Sequence, residues 1–244
     1  MDSKFYQPSK EMKPFEFSNK GEEVKFPVES DIITAFIVKP NQKEIKKTIF
    51  FFHGAAGNVT TYQYITKPLV DAGYQVVMVD FRGYGNSTGI PTHLNVQSDA
   101  QKFFDALIQR DDIKNTKKYI YGASLGTQIA ANLAKNNVSK ISGLILDSPM
   151  SSFTDIAMAY APEYKEMIQQ MLVSPYSAKT DLKDLNTLPK LIIRSDKDES
   201  FFFEQGKVVF DNASEPKKML EVSGGHIGGM KSNTQEILKA IEAM

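Results

Sequence analysis

Ser124 stands at the centre of Gly122-Ala123-Ser124-Leu125-Gly126, directly after an apolar run at 119–121 and directly before a stretch in which Leu125, Ile129 and Leu133 recur at helical spacing. A serine on a sharp strand-to-helix turn is lifted clear of the sheet. Small residues are needed two positions either side because the backbone there passes too close for side chains. The first N–H groups of the helix face the same spot and suit a developing negative charge. Two glycines and a serine so spaced arise by chance in roughly one chain in ten of this length. The flanking strand and helix, more than the pattern, therefore make Ser124 a candidate nucleophile.

A serine hydroxyl attacks a carbonyl only when a base takes its proton, and histidine, with an ordinary pKa of about 6.5, suits that work near neutrality. The chain has three histidines. A serine on such an elbow is followed along the chain first by an acid and then by the histidine. His53 and His93 precede Ser124, which leaves His226 as the candidate base. It lies in Gly224-Gly225-His226-Ile227-Gly228-Gly229, where glycines allow an imidazole to be carried over the elbow.

The third group must orient that imidazole and stabilise its cation. Asp198 and Asp196 follow the apolar run at 190–193, and Asp147 follows the run at 143–146. Asp198 has room to reach back from a few residues beyond the strand end, whereas Asp196 suits a turn that caps its own backbone. Asp198 is therefore preferred, with Asp196 and Asp147 as alternatives. Attack on a carbonyl also creates an oxyanion that needs donors. One is expected from the backbone N–H of Leu125. The other is assigned to Ala55, in the loop His53-Gly54-Ala55-Ala56-Gly57-Asn58.

Short continuous apolar runs at 48–52, 75–79, 119–121, 143–146, 190–193 and 219–222 must position these groups. Strands buried on both faces lose the in/out alternation, so these runs, separated by helical segments, predict an α/β fold with a mostly parallel sheet covered by helices. Two β-rich runs at 23–26 and 32–38 predict an antiparallel entry hairpin. Phe103, Phe104, Leu107 and Ile108 predict a helix capped by Ser98 or Asp99. Residues 62–72 predict another, in which Pro68 calls for a kink or a later start. Residues 232–241 predict a closing helix. The roughly forty residues of 151–188 far exceed an ordinary loop of about five. Met158, Tyr160, Tyr164, Met167, Met171 and Leu172 give that stretch apolar helical faces, which predicts a small helical lid above the carboxyl ends of the strands. The opening residues through Pro14 read as an extended arm lying over the fold. A single domain over 1–244 is expected.

Lysine plus arginine equal aspartate plus glutamate at 29 each, which leaves no global field for a polyanion and argues against a nucleic-acid partner. A hydrophobic fraction of 41% excludes a disordered or fibrous chain. Cysteine is absent, so disulfides, a thiolate nucleophile and cysteine-based metal sites are excluded. Neither a metal nor a cofactor is expected. No apolar stretch is long enough to span a bilayer, and the chain reads as cytoplasmic, with export or membrane anchoring as the alternative if a leader has been removed.

HGAAGN, VDFRGYGNSTG at 79–89 and GASLG together resemble the α/β-hydrolase superfamily, from about Val24 to the carboxyl terminus. Within it they are similar to the small-lid branch described as serine aminopeptidase-like or acyl-protein-thioesterase-like. The resemblance implies a serine, aspartate and histidine triad without a cofactor, and relatives that include esterases, thioesterases and depalmitoylating enzymes. Asp198 falls at the matching acid position, although the family's strand usually ends in histidine-glycine followed by valine-proline and here the segment reads IIRSDKDESFFF. Asp80 and Arg82 fall where the family has structural residues. Phe201, Phe202 and Phe203 read first as a helix start packing into the core and second as an acyl-pocket lining. Relatives often carry an anchor ahead of a segment resembling FYQPSKEM. The expected chemistry is hydrolysis of carboxylic esters or thioesters of small to medium acyl groups through an acyl-enzyme on Ser124. A non-catalytic binding protein of the same fold and a serine peptidase are the alternatives. No acidic cluster can be placed to hold a substrate amino terminus, which ranks the peptidase lower.

Overall fold

A computed structural model describes residues 4–19 and 21–244, with the side chains of Ser200 and Phe201 outside that description. In chain order the strands are β1 (Gln7–Pro8), β2 (Glu22–Val28), β3 (Asp31–Val38), β4 (Lys47–Phe52), β5 (Ala56–Gly57), β6 (Gln75–Asp80), β7 (Lys117–Ala123), β8 (Gly143–Asp147), β9 (Lys190–Ser195) and β10 (Lys217–Val222). The helices are α1 (Gln63–Asp71), α2 (His93–Leu107), α3 (Gly126–Asn136), α4 (Phe153–Tyr160), α5 (Lys165–Met171), α6 (Ala178–Asp181), α7 (Ser200–Asn212), α8 (Gly229–Ser232) and α9 (Thr234–Glu242).

Eight strands form one sheet in the order β10-β9-β8-β7-β4-β6-β3-β2. From β10 to β6 every neighbour is parallel, and β3 and β2 extend the edge antiparallel. Every residue of β6, β8 and β9 is buried, the signature of strands covered on both faces. Side chains nonetheless alternate between two cores. Phe50 and Phe52 pack with Phe103, Phe104 and Ile129 on one face, while Phe51 packs with Ile65, Ile145 and Ile237 on the other. The period of two in an unbroken apolar run thus feeds both layers of helices.

Three local expectations change. Helix α2 starts at His93, well before Ser98 and Asp99, and Thr92 caps it. The Thr92 hydroxyl accepts the Asn95 N–H at 3.2 Å, and the Asn95 side chain accepts the Thr92 N–H at 2.7 Å. Asp99 instead takes the Arg82 guanidinium at 2.6 and 3.0 Å. Helix α1 runs through Pro68 and begins after a tight turn at Val59–Tyr62, and the Pro68 carbonyl still accepts the Ala72 N–H at 3.0 Å. Within 151–188 two halves differ. Helices α4 and α5 border a cavity beside Ser124 with most of α5 exposed, whereas Tyr176, Ala178, Leu182, Leu185 and Leu188 are buried and α6 packs against α3. Of the stretch expected to form one lid, the first half borders the cavity at Ser124 and the second half packs into the core.

Candidate active site

Strand β7 delivers Ser124 to a turn with φ 51°, in the left-handed region that costs a non-glycine residue about 1–2 kcal/mol. The turn is held by its neighbours: the Ser124 N–H donates to the Asp147 carbonyl at 2.9 Å, and the Thr127 N–H donates to the Ser124 carbonyl at 3.0 Å. A Cβ on Gly126 would lie 2.1 Å from the Phe52 carbonyl oxygen, and one on Gly122 would lie 2.5 Å from that of Gly126. Close backbone approach, predicted from the two glycines, is therefore present.

The Ser124 hydroxyl lies 2.7 Å from His226 Nε2. The other ring nitrogen, Nδ1, meets both Asp198 carboxylate oxygens at 2.9 and 3.0 Å. A carboxylate accepts only, so Nδ1 carries a proton, and in the neutral ring Nε2 is then the acceptor that faces the serine hydroxyl. Strand β7 carries the serine, the turn after β9 the acid and the loop after β10 the histidine. The Asp198 side chain is 2% exposed and also accepts the Glu199 N–H at 2.9 Å.

The two alternative acids are engaged elsewhere. Asp196 accepts the Gly224 N–H at 3.0 Å and the Ser223 hydroxyl at 3.3 Å, tying the ends of β9 and β10 together. Asp147 accepts the Tyr121 hydroxyl at 2.7 Å. Burial raises the Asp147 pKa to about 6; the Tyr121 hydrogen bond and the nearby His226 pull it down, and the Asp198 charge pushes it up. His53 is wholly buried, and that burial lowers its pKa to about 4, against the raising effect of its Nδ1 contact with the Gly54 carbonyl at 2.7 Å. It is a neutral packing residue among Phe81, Tyr84 and Tyr62.

Among the described residues, the backbone N–H groups of Ala55 and Leu125 donate to no protein acceptor, and both residues border the cavity at Ser124. The Ala55 carbonyl is clamped by the Tyr84 hydroxyl at 2.5 Å and the Gln7 N–H at 2.9 Å, which fixes the loop. Asp80 and Arg82 serve structure. Asp80 accepts the Val59 N–H at 2.8 Å, with its pKa raised to about 7 by burial, and Arg82 joins Asp31 to Asp99.

Beside Ser124 lies a cavity of about 590 Å³, within the ~300–1,000 Å³ that holds a small organic ligand. Its wall is mainly apolar: Met150, Ile156, Ala157, Ile168 and Phe202 contribute, the middle three from α4 and α5. Among the described residues no aspartate or glutamate lines it. Of the three phenylalanines, Phe201 has its side chain outside the described residues. Phe202 is buried, borders the cavity and sits 4.1 Å from the His226 ring, and Phe203 lies under the Arg194 guanidinium at 3.5 Å. The lining reading thus holds for Phe202 as well as the helix-start reading.

Sequence reasoning passed over Ser148 and Tyr84. The Ser148 hydroxyl accepts the Ile227 N–H at 3.0 Å, where Ile227 has φ 49°, and so holds the loop next to His226. A polar residue directly after a strand-end aspartate was the available signal. Tyr84 lies inside the VDFRGYGNSTG motif, but nothing in the motif tells that its hydroxyl reaches Ala55. Among the described residues there is no cluster of side chains suited to a metal and no helix long and apolar enough to cross a membrane.

Comparison with known proteins adds the lineage. Protein bem46 of Schizosaccharomyces pombe is 28% identical over 164 residues, 67% of this chain and 55% of that one, so the chain spans little more than half of that relative. An α/β hydrolase from Vibrio vulnificus superposes with a TM-score of 0.77 at 22% identity, covering 92% of this chain and 81% of the other. The Pyrococcus furiosus esterase Pf2001 superposes with a TM-score of 0.76 at 16% identity, covering 97% of each chain. These two likenesses show the fold. Residues 43–200 match the model of the family described as serine aminopeptidase, S33. With the elbow, the sheet order and that match together, the chain belongs to the serine aminopeptidase S33 family within the α/β-hydrolase superfamily.

Proposed function

We propose that the protein is a serine hydrolase that cleaves carboxylic esters or thioesters of small to medium acyl groups through an acyl-enzyme on Ser124. One observation carries the reading: the Ser124 hydroxyl lies 2.7 Å from His226 Nε2 at the wall of a mainly apolar cavity. In the first half-reaction the hydroxyl passes its proton to Nε2 as Oγ bonds the substrate carbonyl carbon. Asp198 stabilises the imidazolium, and the carbonyl oxygen, now negative, accepts from the N–H groups of Ala55 and Leu125, each such donor contributing about 3 kcal/mol. Collapse breaks the bond to the leaving alcohol or thiol, which takes the proton from Nε2. Water then attacks the acyl-enzyme with His226 as base, and the carboxylic acid leaves.

Hydrocarbon chains suit the lining. The absence of an acidic side chain around the described cavity leaves nothing to hold the amino group of a peptide, so ester chemistry ranks above the aminopeptidase activity in the family's name. The name of the Pyrococcus furiosus esterase, which shares the fold, agrees with this choice. Ser124→Ala should lower turnover of a p-nitrophenyl ester by about four to six orders of magnitude with an unchanged circular dichroism spectrum. Undiminished hydrolysis by the purified variant would rule the mechanism out.

A further inference from the structure

We infer that the amino-terminal arm is part of the substrate site and that Phe5 sets the length of acyl chain the cavity accepts; what fills the cavity rests on the hydrolase reading above. Lys4, Phe5 and Gln7 line the same cavity as Ser124. The Phe5 ring meets Phe153 edge-on at 5.3 Å and His93 at 5.1 Å, and those two rings stack on each other at 3.6 Å. Phe153 is the first residue of α4, so Phe5 is wedged between the cavity and the root of the helices that cover it.

The backbone of the arm is fixed from Gln7 to Glu11, just after Phe5. Strand β1 pairs in parallel with β5, the Ser9 N–H donates to the Gly57 carbonyl at 2.9 Å, and the Ser9 carbonyl accepts the Gly85 N–H at 2.9 Å. The Asn58 side-chain amide donates to the carbonyls of Ser9 at 3.1 Å and Glu11 at 2.8 Å. A segment so bonded is a wall and not a fraying end. None of these bonds uses the Phe5 side chain, so the ring can be changed while the arm stays docked.

An acyl chain running from Ser124 towards the Phe5 and Phe153 rings gains about fourfold in affinity for each methylene it buries. The gain stops where the chain end meets Phe5. Phe5→Ala opens space towards His93 and Phe153 and favours longer chains, and Phe5→Trp favours shorter ones.

The test uses the whole chain and its two variants, checked for folding by thermal melting. Binding of saturated fatty-acid anions from butanoate to hexadecanoate is measured by calorimetry, and hydrolysis is measured on p-nitrophenyl esters of the same lengths. The optimum is expected to move to longer chains in Phe5→Ala and to shorter chains in Phe5→Trp. In Phe5→Trp the preference for dodecanoate over octanoate should fall about fourfold or more. An optimum that stays in place for both variants in both series overturns the role of Phe5. A wild type that binds the anions but hydrolyses no ester overturns the hydrolase reading alone, and the binding series still decides the arm. A wild type that neither binds nor hydrolyses any member overturns both.

Discussion

His226 is held at three points: Nδ1 on Asp198, its ring against Phe202, and the next residue's N–H on Ser148. Of these only Asp198 fixes which nitrogen carries the proton. Asp198→Asn should therefore lower kcat by about 10⁴-fold, because an amide can donate to Nδ1 and leave the wrong tautomer facing Ser124. Asp196→Asn keeps an acceptor for the Gly224 N–H and should stay within about tenfold of the wild type. Steady-state kinetics on one ester separates the two, and equal losses would show that the acid has been misassigned. Ser124 and His226 could be singled out in the sequence as candidates because the chain offers one elbow and one histidine after it, and the two side chains lie 2.7 Å apart. The acid was legible only as a preference. Three aspartates follow strands, and what favours Asp198 is its contact with His226 while the other two meet Tyr121 and Ser223 with Gly224, which no local pattern encodes.

Strand β7 and helix α3 meet at the elbow so closely that their glycines act as structural parts. Gly126→Ala puts a methyl group on the Phe52 and His53 carbonyl oxygens, at 2.1 and 2.6 Å, and backbone cannot rotate aside as a side chain could. The variant should lose about 3 kcal/mol of stability, the upper range for overpacking, measured by urea unfolding. Wild-type stability would mean that the helix can slide away from β4. At this scale the sequence told element types well and their ends less well. Continuous apolar runs had only one consistent reading, a sheet covered on both faces. The start of α2 was missed because Thr92 and Asn95 form a reciprocal cap without the usual glutamate or glutamine. The expected lid covers two unlike parts because the length of 151–188 says only that the stretch exceeds a loop, and burial of Tyr176, Leu182 and Leu185 in the core is a matter of tertiary packing.

Across the whole molecule the sheet gathers Ser124, Asp198 and His226 beyond the carboxyl ends of β7, β9 and β10, where open α/β sheets bind ligands. That convergence also buries ionisable groups. Asp147 has its pKa raised from 3.8 to about 6 by burial, so between those values the folded protein keeps a proton that the unfolded chain gives up. Its contribution to stability falls as pH rises through that window and stays low above it. Asp147→Asn removes this dependence: relative to the wild type, the variant should be about 3 kcal/mol better off at pH 8 than at pH 3.5 by urea unfolding. His53, lowered to about 4 from 6.5, acts with the opposite sign in both proteins and cancels in the comparison. A pH-independent difference would mean that Asp147 is ionised without cost. The central claim, that Ser124 is made nucleophilic by His226, is tested most directly by reacting the native protein with a fluorophosphonate and mapping the adduct by mass spectrometry. The account predicts a single adduct on Ser124, absent in Ser124→Ala and much slower to form in His226→Ala. Native protein left unmodified, or an adduct on another residue, would contradict it.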